Sequence, residues 1–175
     1  MDTHTMKLNR IFLPVVLLAL AAGAFAQHPQ WKQLKGLKGV LVIVLASADG
    51  KDANPKPMVD DVELKLREAG IHVYDKSEAL SAPKERAGMQ SPPLLFVTVS
   101  VISNEAGYAA TSVTMKLVQY MEIANAPGES AELCYWEEPS TSLVRTGAAA
   151  ENVKAQIMDK ATEFANDWLK AHPKE

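Results

Sequence analysis

The sequence predicts an α+β fold, a mixed five-stranded sheet with two helices packed on one face. Residues 40–46 are an uninterrupted apolar run rich in β-branched side chains, and later segments alternate between apolar and polar residues, as strands do. Two other segments repeat apolar residues at intervals of three and four, as amphipathic helices do. The order is strand, helix, strand, three meandering strands and a closing helix, which packs most simply as two layers.

Residues 40–46 form the first predicted strand. Because this run does not alternate, we expect the strand to be buried on both faces. Before it, Trp31, Leu34 and Leu37 are spaced by three and predict a helical turn that packs on the sheet edge. The strand, the following helix and the next strand should form a right-handed parallel unit. Residues 47–57 are rich in turn-forming residues and are predicted to be an irregular loop.

Residues 58–75 hold the most informative pattern, a helix followed by a glycine stop and a strand. Gly70 lies where a left-handed helix ending is expected, and residues 71–75 then alternate as a strand. On the polar side of the helix, acidic residues precede basic ones by four positions, which favours ion pairs within the helix. The expected pairs are Asp61 with Lys65 and Glu63 with Arg67, and the apolar stripe comprises Val59, Val62, Leu66 and Ala69.

The second half of the chain predicts a meander and a closing helix. Residues 94–103, 108–124 and 131–137 alternate, so we expect three antiparallel strands with one packed and one wet face. Residues 140–147 are predicted to be a loop. Residues 148–171 are predicted to be the closing helix, with its apolar face formed by Val153, Ile157, Ala161, Phe164 and Trp168.

A long polar segment connects the two halves. Residues 77–93 contain three prolines and predict a crossing loop, with one helical turn at 76–80. Loops of this length are uncommon in small domains and often bind partners. We therefore treat this loop as a candidate contact segment.

The first 26 residues have the features of a signal peptide. A positively charged start precedes an uncharged apolar run of 12 residues at 11–22, and a small-x-small triplet follows. We expect cleavage between Ala26 and Gln27, which leaves residues 27–175 as one α+β domain, periplasmic or secreted. The run is shorter than the ~20 residues that span a membrane, which favours cleavage over an uncleaved membrane anchor. No second apolar run approaches that length, so we expect no membrane span in the mature chain. No cysteine lies directly after the run, where a lipid anchor would be attached.

Charge and cysteine content narrow the function classes. Residues 27–175 hold 16 basic and 20 acidic residues, a net charge of −4, which offers no basic footprint for nucleic acid. Cys134 is the single cysteine, so an internal disulfide is excluded. A buried inert thiol is the favoured interpretation of Cys134. The alternative is an intermolecular disulfide or a reactive thiol in an oxidising compartment.

The sequence shows no arrangement of residues that is typical of acid–base, nucleophilic or metal catalysis. No two histidines have the spacing of metal ligands, and no nucleophile, phosphate-binding or dinucleotide motif occurs. We therefore predict no catalytic residue, no metal site and no cofactor, and an enzyme is the less favoured class. The enzymatic alternative is a small envelope hydrolase in which His72 acts with Asp75 or Glu137.

Three tyrosines of the meander are the candidate binding residues. Tyr108, Tyr120 and Tyr135 would form a binding surface if they share the helix-free face of the sheet. The alternative is that they form cross-strand pairs that stabilise the sheet.

Four segments carry a resemblance to known proteins: WKQLKGLKGVLVIV, DDVELKLREAGIHV, PPLLFVTVSVI and FANDWLKAHPK. Together they resemble a group of small secreted bacterial proteins of unassigned function. The element order is similar to the amino-terminal domain of TolB and to the periplasmic domain of curli-secretion-type lipoproteins. Gly70 to Val73 matches their helix-to-strand step. The resemblance implies the same fold and an envelope binding or assembly role.

These observations together predict a non-catalytic periplasmic or secreted binding module. Its partner is expected to be an envelope protein or a second copy of the chain. The contact would be the outer meander strand, through strand addition, or the loop at 77–93.

Overall fold

The computed structural model describes residues 30–81, 92–126 and 128–173. The predicted signal peptide, its cleavage position and most of the loop at 77–93 lie outside these residues. The helical turn predicted at 76–80 is confirmed as α2. The elements are a 3₁₀ turn (Gln30–Leu34), β1 (Gly39–Ala48), β2 (Lys51–Asp52), α1 (Lys56–Glu68), β3 (His72–Val73), α2 (Lys76–Ser81), β4 (Leu94–Ser103), β5 (Tyr108–Glu122), β6 (Ser130–Arg145), a 3₁₀ turn (Thr146–Ala148) and α3 (Ala149–Ala171).

One mixed sheet of six strands organises the fold, with the order β2-β1-β4-β5-β6 and β3 also paired with β1. The strand β1 is parallel to β3 and to β4, and the other pairs are antiparallel. The α+β class, the parallel unit and the meander are thereby confirmed. The sixth strand, β2, lies within the predicted irregular loop. Asp49 (φ 50°) and Gly50 (φ 73°) form the two-residue turn between β1 and β2.

As predicted, the helices α1 and α3 pack on one face of the sheet, and they also contact each other. Val62 and Leu66 of α1 are buried there. On the sheet side, the Trp136 ring meets the Phe164 ring edge to face at 5.2 Å between centroids. The five predicted apolar residues of α3 are all buried, namely Val153, Ile157, Ala161, Phe164 and Trp168.

The end of α1 follows the predicted glycine stop. Gly70 has φ +79°, which a side chain would strain. The predicted pair of Glu63 and Arg67 is confirmed at 2.9 Å. Asp61 instead pairs with Lys154 of α3 at 2.9 Å, because α3 lies against α1 and brings Lys154 within reach.

The prediction that β1 is buried on both faces is wrong. Val42 and Val44 are buried under the helices, whereas Ile43 is half-buried and Leu45 is exposed on the other face. The physical reason is that both packed helices lie on one side of the sheet. The opposite side, called the helix-free face below, stays open although β1 contributes apolar residues to it.

The strand β6 is longer than predicted, and the predicted loop at 140–147 is wrong through residue 145. Pro139 looks like a break in the sequence, but β6 is the last strand of the sheet. Proline is tolerated there because a backbone N–H at this position would point away from β5, so no hydrogen bond of the sheet is lost. A β-bulge adds Tyr135 as an extra residue opposite β5.

Candidate binding surface

The three tyrosines predicted to form a binding surface do not come together. Tyr108 and Tyr120 lie on the same side of β5 but at opposite ends of it, a separation of about 40 Å at the usual rise of a strand. Tyr135 occupies the bulge in β6 and is buried with the core. A binding role for Tyr108 and Tyr120 stays a prediction, at two separate places.

Tyr120 belongs to a small ionic cluster between β5 and β6. The ammonium of Lys116 lies 2.8 Å from Glu132, and the hydroxyl of Tyr120 donates to the other carboxylate oxygen at 3.1 Å. The bond from Lys116 lowers the pKa of Glu132, and the bonds to Glu132 raise the pKa of Lys116 and of Tyr120. The cluster joins the two strands and is balanced in charge.

His72 pairs with Glu78, with 2.8 Å between Nε2 and Oε1, and both side chains are about half exposed. The carboxylate of Asp75 instead accepts the backbone N–H of Glu78 and the hydroxyl of Ser77, both at 2.7 Å, and these bonds lower its pKa. Glu137 lies on β6, at the other end of the sheet from β3. Of the two carboxylates predicted to act with His72, Asp75 is therefore bonded to other groups and Glu137 lies far away.

Cys134 is exposed, so the prediction of a buried thiol is wrong. Its side chain lies on the same face of the sheet as Glu132 and Lys116, away from the core, which explains its exposure. Its sulfur contacts the Trp136 carbonyl oxygen at 3.6 Å. Desolvation and the nearby charge of Glu137 raise the pKa of the thiol above its ordinary value of 9.0. Cys134 is therefore protonated at neutral pH, and its reactivity as a nucleophile is low.

An apolar groove lies between α1 and α3 and reaches the ends of β1 and β4. Its two hollows measure about 190 and 320 Å³ and share Met58 and Val153. The charged groups on its lining already have partners: Asp61 pairs with Lys154, and Asp49 accepts the backbone N–H of Ser103 at 2.7 Å. The groove offers apolar contact and no converging acid–base groups.

Five polar side chains, called the polar cluster, fix β6 against α3. The hydroxyl of buried Thr111 lies 2.8 Å from the hydroxyl of Ser142 and 2.8 Å from the amide oxygen of Asn152. Gln156 donates to Thr111 at 2.9 Å and accepts from Ser140 at 2.6 Å. These bonds satisfy groups that would be costly to bury alone. The cluster thus holds the inner face of β6 and leaves its outer edge free.

The outer edge of β6 is protected at one position by a side chain. The amide oxygen of Gln30 accepts the backbone N–H of Glu137 at 2.8 Å, and its NH₂ group donates to the Glu137 carbonyl at 3.3 Å. The predicted packing of the first helical turn on a sheet edge is confirmed by these contacts. Both backbone groups of Glu137 must therefore point away from β5.

The edge beyond Glu137 is open over residues 139–145. Backbone groups of alternate residues point to the same side of a strand, so those of Thr141, Leu143 and Arg145 face outward like those of Glu137. Within the described part of the chain, β6 pairs only with β5. Unpaired outward N–H and C=O groups form a template for another strand.

An apolar row runs up to this open edge on the helix-free face. Ile102, Ala110 and Leu143 lie opposite one another on β4, β5 and β6. The side chain of Leu143 is 70% exposed and that of Ile102 is 64% exposed. Between them, small residues leave a shallow hollow of about 400 Å³. The guanidinium of Arg145 lies 4.7 Å from the Tyr108 ring centroid and bounds this surface.

We define the candidate binding surface as the open edge at 139–145 together with the row of Ile102, Ala110 and Leu143. The sequence predicts the outer meander strand as a contact but does not predict these residues, because the predicted strand ends before Pro139. The missed signal was the pair Leu143 and Arg145 at alternate positions after the proline.

The described residues hold neither a group of metal-binding side chains nor a membrane-spanning helix. In the ranges 30–81, 92–126 and 128–173, no three His, Cys, Asp or Glu side chains are grouped to hold one metal ion. Within those same residues, no helix has the length and apolar character needed to cross a membrane.

Comparison with known proteins assigns no family. No protein-family model matches the sequence, and no curated protein matches it. Among solved structures, the chain is similar to a PelC dodecamer from Paraburkholderia phytofirmans. That match has a TM-score of 0.40 and 16% identity, and it covers 73% of this chain and 86% of the PelC chain.

Proposed function

We propose that this chain is a non-catalytic binding or assembly module of the cell envelope, periplasmic or secreted. It takes up an extended protein segment on the outer edge of β6. The observation that carries the proposal is the open edge at 139–145, on which the side chain of Leu143 is exposed. An added strand gains main-chain hydrogen bonds from Thr141 and Leu143 and covers the apolar row.

The first half of the β6 edge carries features that block strand addition, and the second half does not. Proteins protect exposed strand edges with bulges, prolines and covering groups. The bulge at Tyr135, the Gln30 amide on Glu137 and the proline at 139 all lie at or before the start of the open segment. Thr141 to Arg145 carries none of these devices among the described contacts.

Residence in the envelope rests on the signal peptide predicted over residues 1–26. The fold predicted by resemblance to TolB-type periplasmic domains points to the same compartment. The binding proposal itself depends on the edge geometry and is independent of the compartment.

Two edge variants and one matched control test the proposal. Thr141→Pro removes one outward N–H at a position equivalent to Pro139, so the fold should tolerate it. Leu143→Lys removes the apolar contact, and Leu64→Lys is its control because Leu64 is 58% exposed on α1. Each purified protein is incubated with envelope extract and with its own copy.

We expect the unmodified chain and Leu64→Lys to retain a stoichiometric protein partner, and both edge variants to lose it. Amide exchange at Thr141 should slow in the complex of the unmodified chain. A partner that is retained equally by all four proteins, or no partner in any condition, would contradict the proposal.

A further inference from the structure

We infer that the segment added to β6 is the β6 strand of a second copy, in antiparallel orientation about a two-fold axis. This inference rests on the proposed function and names its partner. The register places Thr141 opposite Thr141 of the second copy. The two sheets then become one continuous sheet across the axis, and the same edge of each copy makes the contact, as two-fold symmetry requires.

In this register, acidic side chains of one copy face basic side chains of the other. Glu137 and Arg145 are both exposed, and their spacing of eight residues puts both on the helix-free face. With Thr141 at the centre, Glu137 lies opposite Arg145 of the second copy. The two-fold axis repeats this pair, so two ion pairs flank the centre.

Other registers lose this complementarity. The smallest shift that keeps outward-facing residues opposite each other is two residues. Such a shift places Arg145 opposite Pro139, or Glu137 opposite Leu143. In either case a charge faces an apolar side chain, so the charges select one register.

The apolar and hydroxyl residues follow the same symmetry. Leu143 lies opposite Pro139 of the second copy, and Thr141 lies opposite itself. From Glu137 to Arg145, the residues on the helix-free face are in order acidic, apolar, hydroxyl-bearing, apolar and basic. This order is self-complementary when it is reversed, and the contact covers the highly exposed Leu143 side chain.

This register also pairs the outward backbone N–H and C=O groups of the two copies. The Thr141 pair exchanges two hydrogen bonds, and each Leu143 N–H meets the carbonyl of Pro139 across the axis. Pro139 has no N–H to satisfy. Because Gln30 already occupies both backbone groups of Glu137, the backbone of Arg145 of the second copy does not pair there. Backbone pairing therefore ends at Pro139 and Leu143, and Glu137 and Arg145 meet through their side chains alone.

Charge exchange tests this register directly. Glu137→Arg and Arg145→Glu each place like charges opposite one another at both ends, so each should weaken dimerisation about tenfold or more. The double variant restores two ion pairs and should dimerise again. Glu68→Arg on α1 changes an exposed charge away from the edge and serves as the control.

Sedimentation velocity over a concentration series gives the readout for each protein and for mixtures. We expect the unmodified chain, the control and the double variant to dimerise, each single variant alone to be monomeric, and an equal mixture of the two single variants to dimerise. A dimer that is insensitive to the single variants would overturn the register.

A chain that is monomeric at every concentration would overturn the second copy as partner. The proposed function would then stand if Thr141→Pro still abolishes capture of another protein. It would fail as well if Thr141→Pro has no effect on any captured partner, so the two failures are distinguishable.

Discussion

The side-chain amide of Gln30 pairs with the backbone of Glu137 as a neighbouring strand would, with one accepted and one donated hydrogen bond. A single glutamine thus closes one position of the sheet edge. The strand continues beyond it with Thr141 and Leu143 facing outward. This boundary between a closed and an open edge locates the binding surface on β6.

Replacing Gln30 with alanine should open the edge by one more outward residue. We expect the backbone N–H of Glu137 to exchange faster and the free energy of unfolding to fall by about 1–2 kcal/mol, because two modest hydrogen bonds are lost. Gln33→Ala, in the same 3₁₀ turn, is the matched control. Unchanged exchange at Glu137 would show that the amide does not protect it.

The polar cluster should be important for stability. Thr111→Val keeps the shape of a buried side chain but removes the hydroxyl that contacts Ser142, Asn152 and Gln156. We expect a loss of about 1–3 kcal/mol in the free energy of unfolding, measured in urea. Thr98→Val, at an exposed position of β4, should change it by less than about 0.5 kcal/mol. Equal effects at the two threonines would argue against the cluster.

Gly39 should be intolerant of a side chain. A Cβ atom there would lie 2.6 Å from the carbonyl oxygen of His72, a backbone atom that moves only if β1 and β3 separate. We expect Gly39→Ala to cost about 1–3 kcal/mol in thermal or urea unfolding. Gly147→Ala is the control, since no atom lies within 4 Å of its added Cβ. A neutral Gly39→Ala variant would mean that β3 is not held against β1.

The cluster of Lys116, Tyr120 and Glu132 predicts a small acid dependence of stability. The hydrogen bond from Lys116 lowers the pKa of Glu132 in the folded chain from its ordinary value of 4.5. Its contribution is therefore present above that unfolded value and is lost as the pH falls through the folded pKa. Because the pair is partly exposed, we expect less than about 1 kcal/mol.

Glu132→Gln isolates this contribution. The difference in unfolding free energy from the unmodified chain should be constant near neutral pH and should shrink below about pH 4.5. Glu105→Gln, in the exposed turn before β5, controls for the loss of one negative charge. A difference that grows on acidification would have the wrong sign for this account.

The parts of the fold that the sequence predicts well are those where burial imposes one period. Val62 and Leu66 in α1, and Ile157 and Phe164 in α3, recur on one helical stripe because each helix packs one side on the sheet. Gly70 marks the end of α1 because the chain turns there through a positive φ.

The second half of β6 cannot be predicted from the spacing of apolar residues along the sequence. Its inner face carries Ser140 and Ser142, which are satisfied by a polar cluster that depends on α3 and cannot be read locally. Its outer face is open, so no burial selects apolar residues. Tyr135 lies in the core because it alternates with Leu133, which packs against the core, and the unpredicted bulge then places Trp136 on the same side. The hairpin at Asp49 and Gly50 did have a recognisable signal, the Asp-Gly pair itself.

Residue-resolved amide exchange of β6 is the most direct test of the open edge. In the dilute chain we predict fast exchange at Thr141 and Leu143, which face outward, and slow exchange at Ser140 and Ser142, which face β5. When a partner binds, or when the chain is concentrated enough to dimerise, Thr141 and Leu143 should become as slow as the two serines. Protection of Thr141 and Leu143 in the dilute chain, or fast exchange that persists in a complex, would contradict strand addition at this edge.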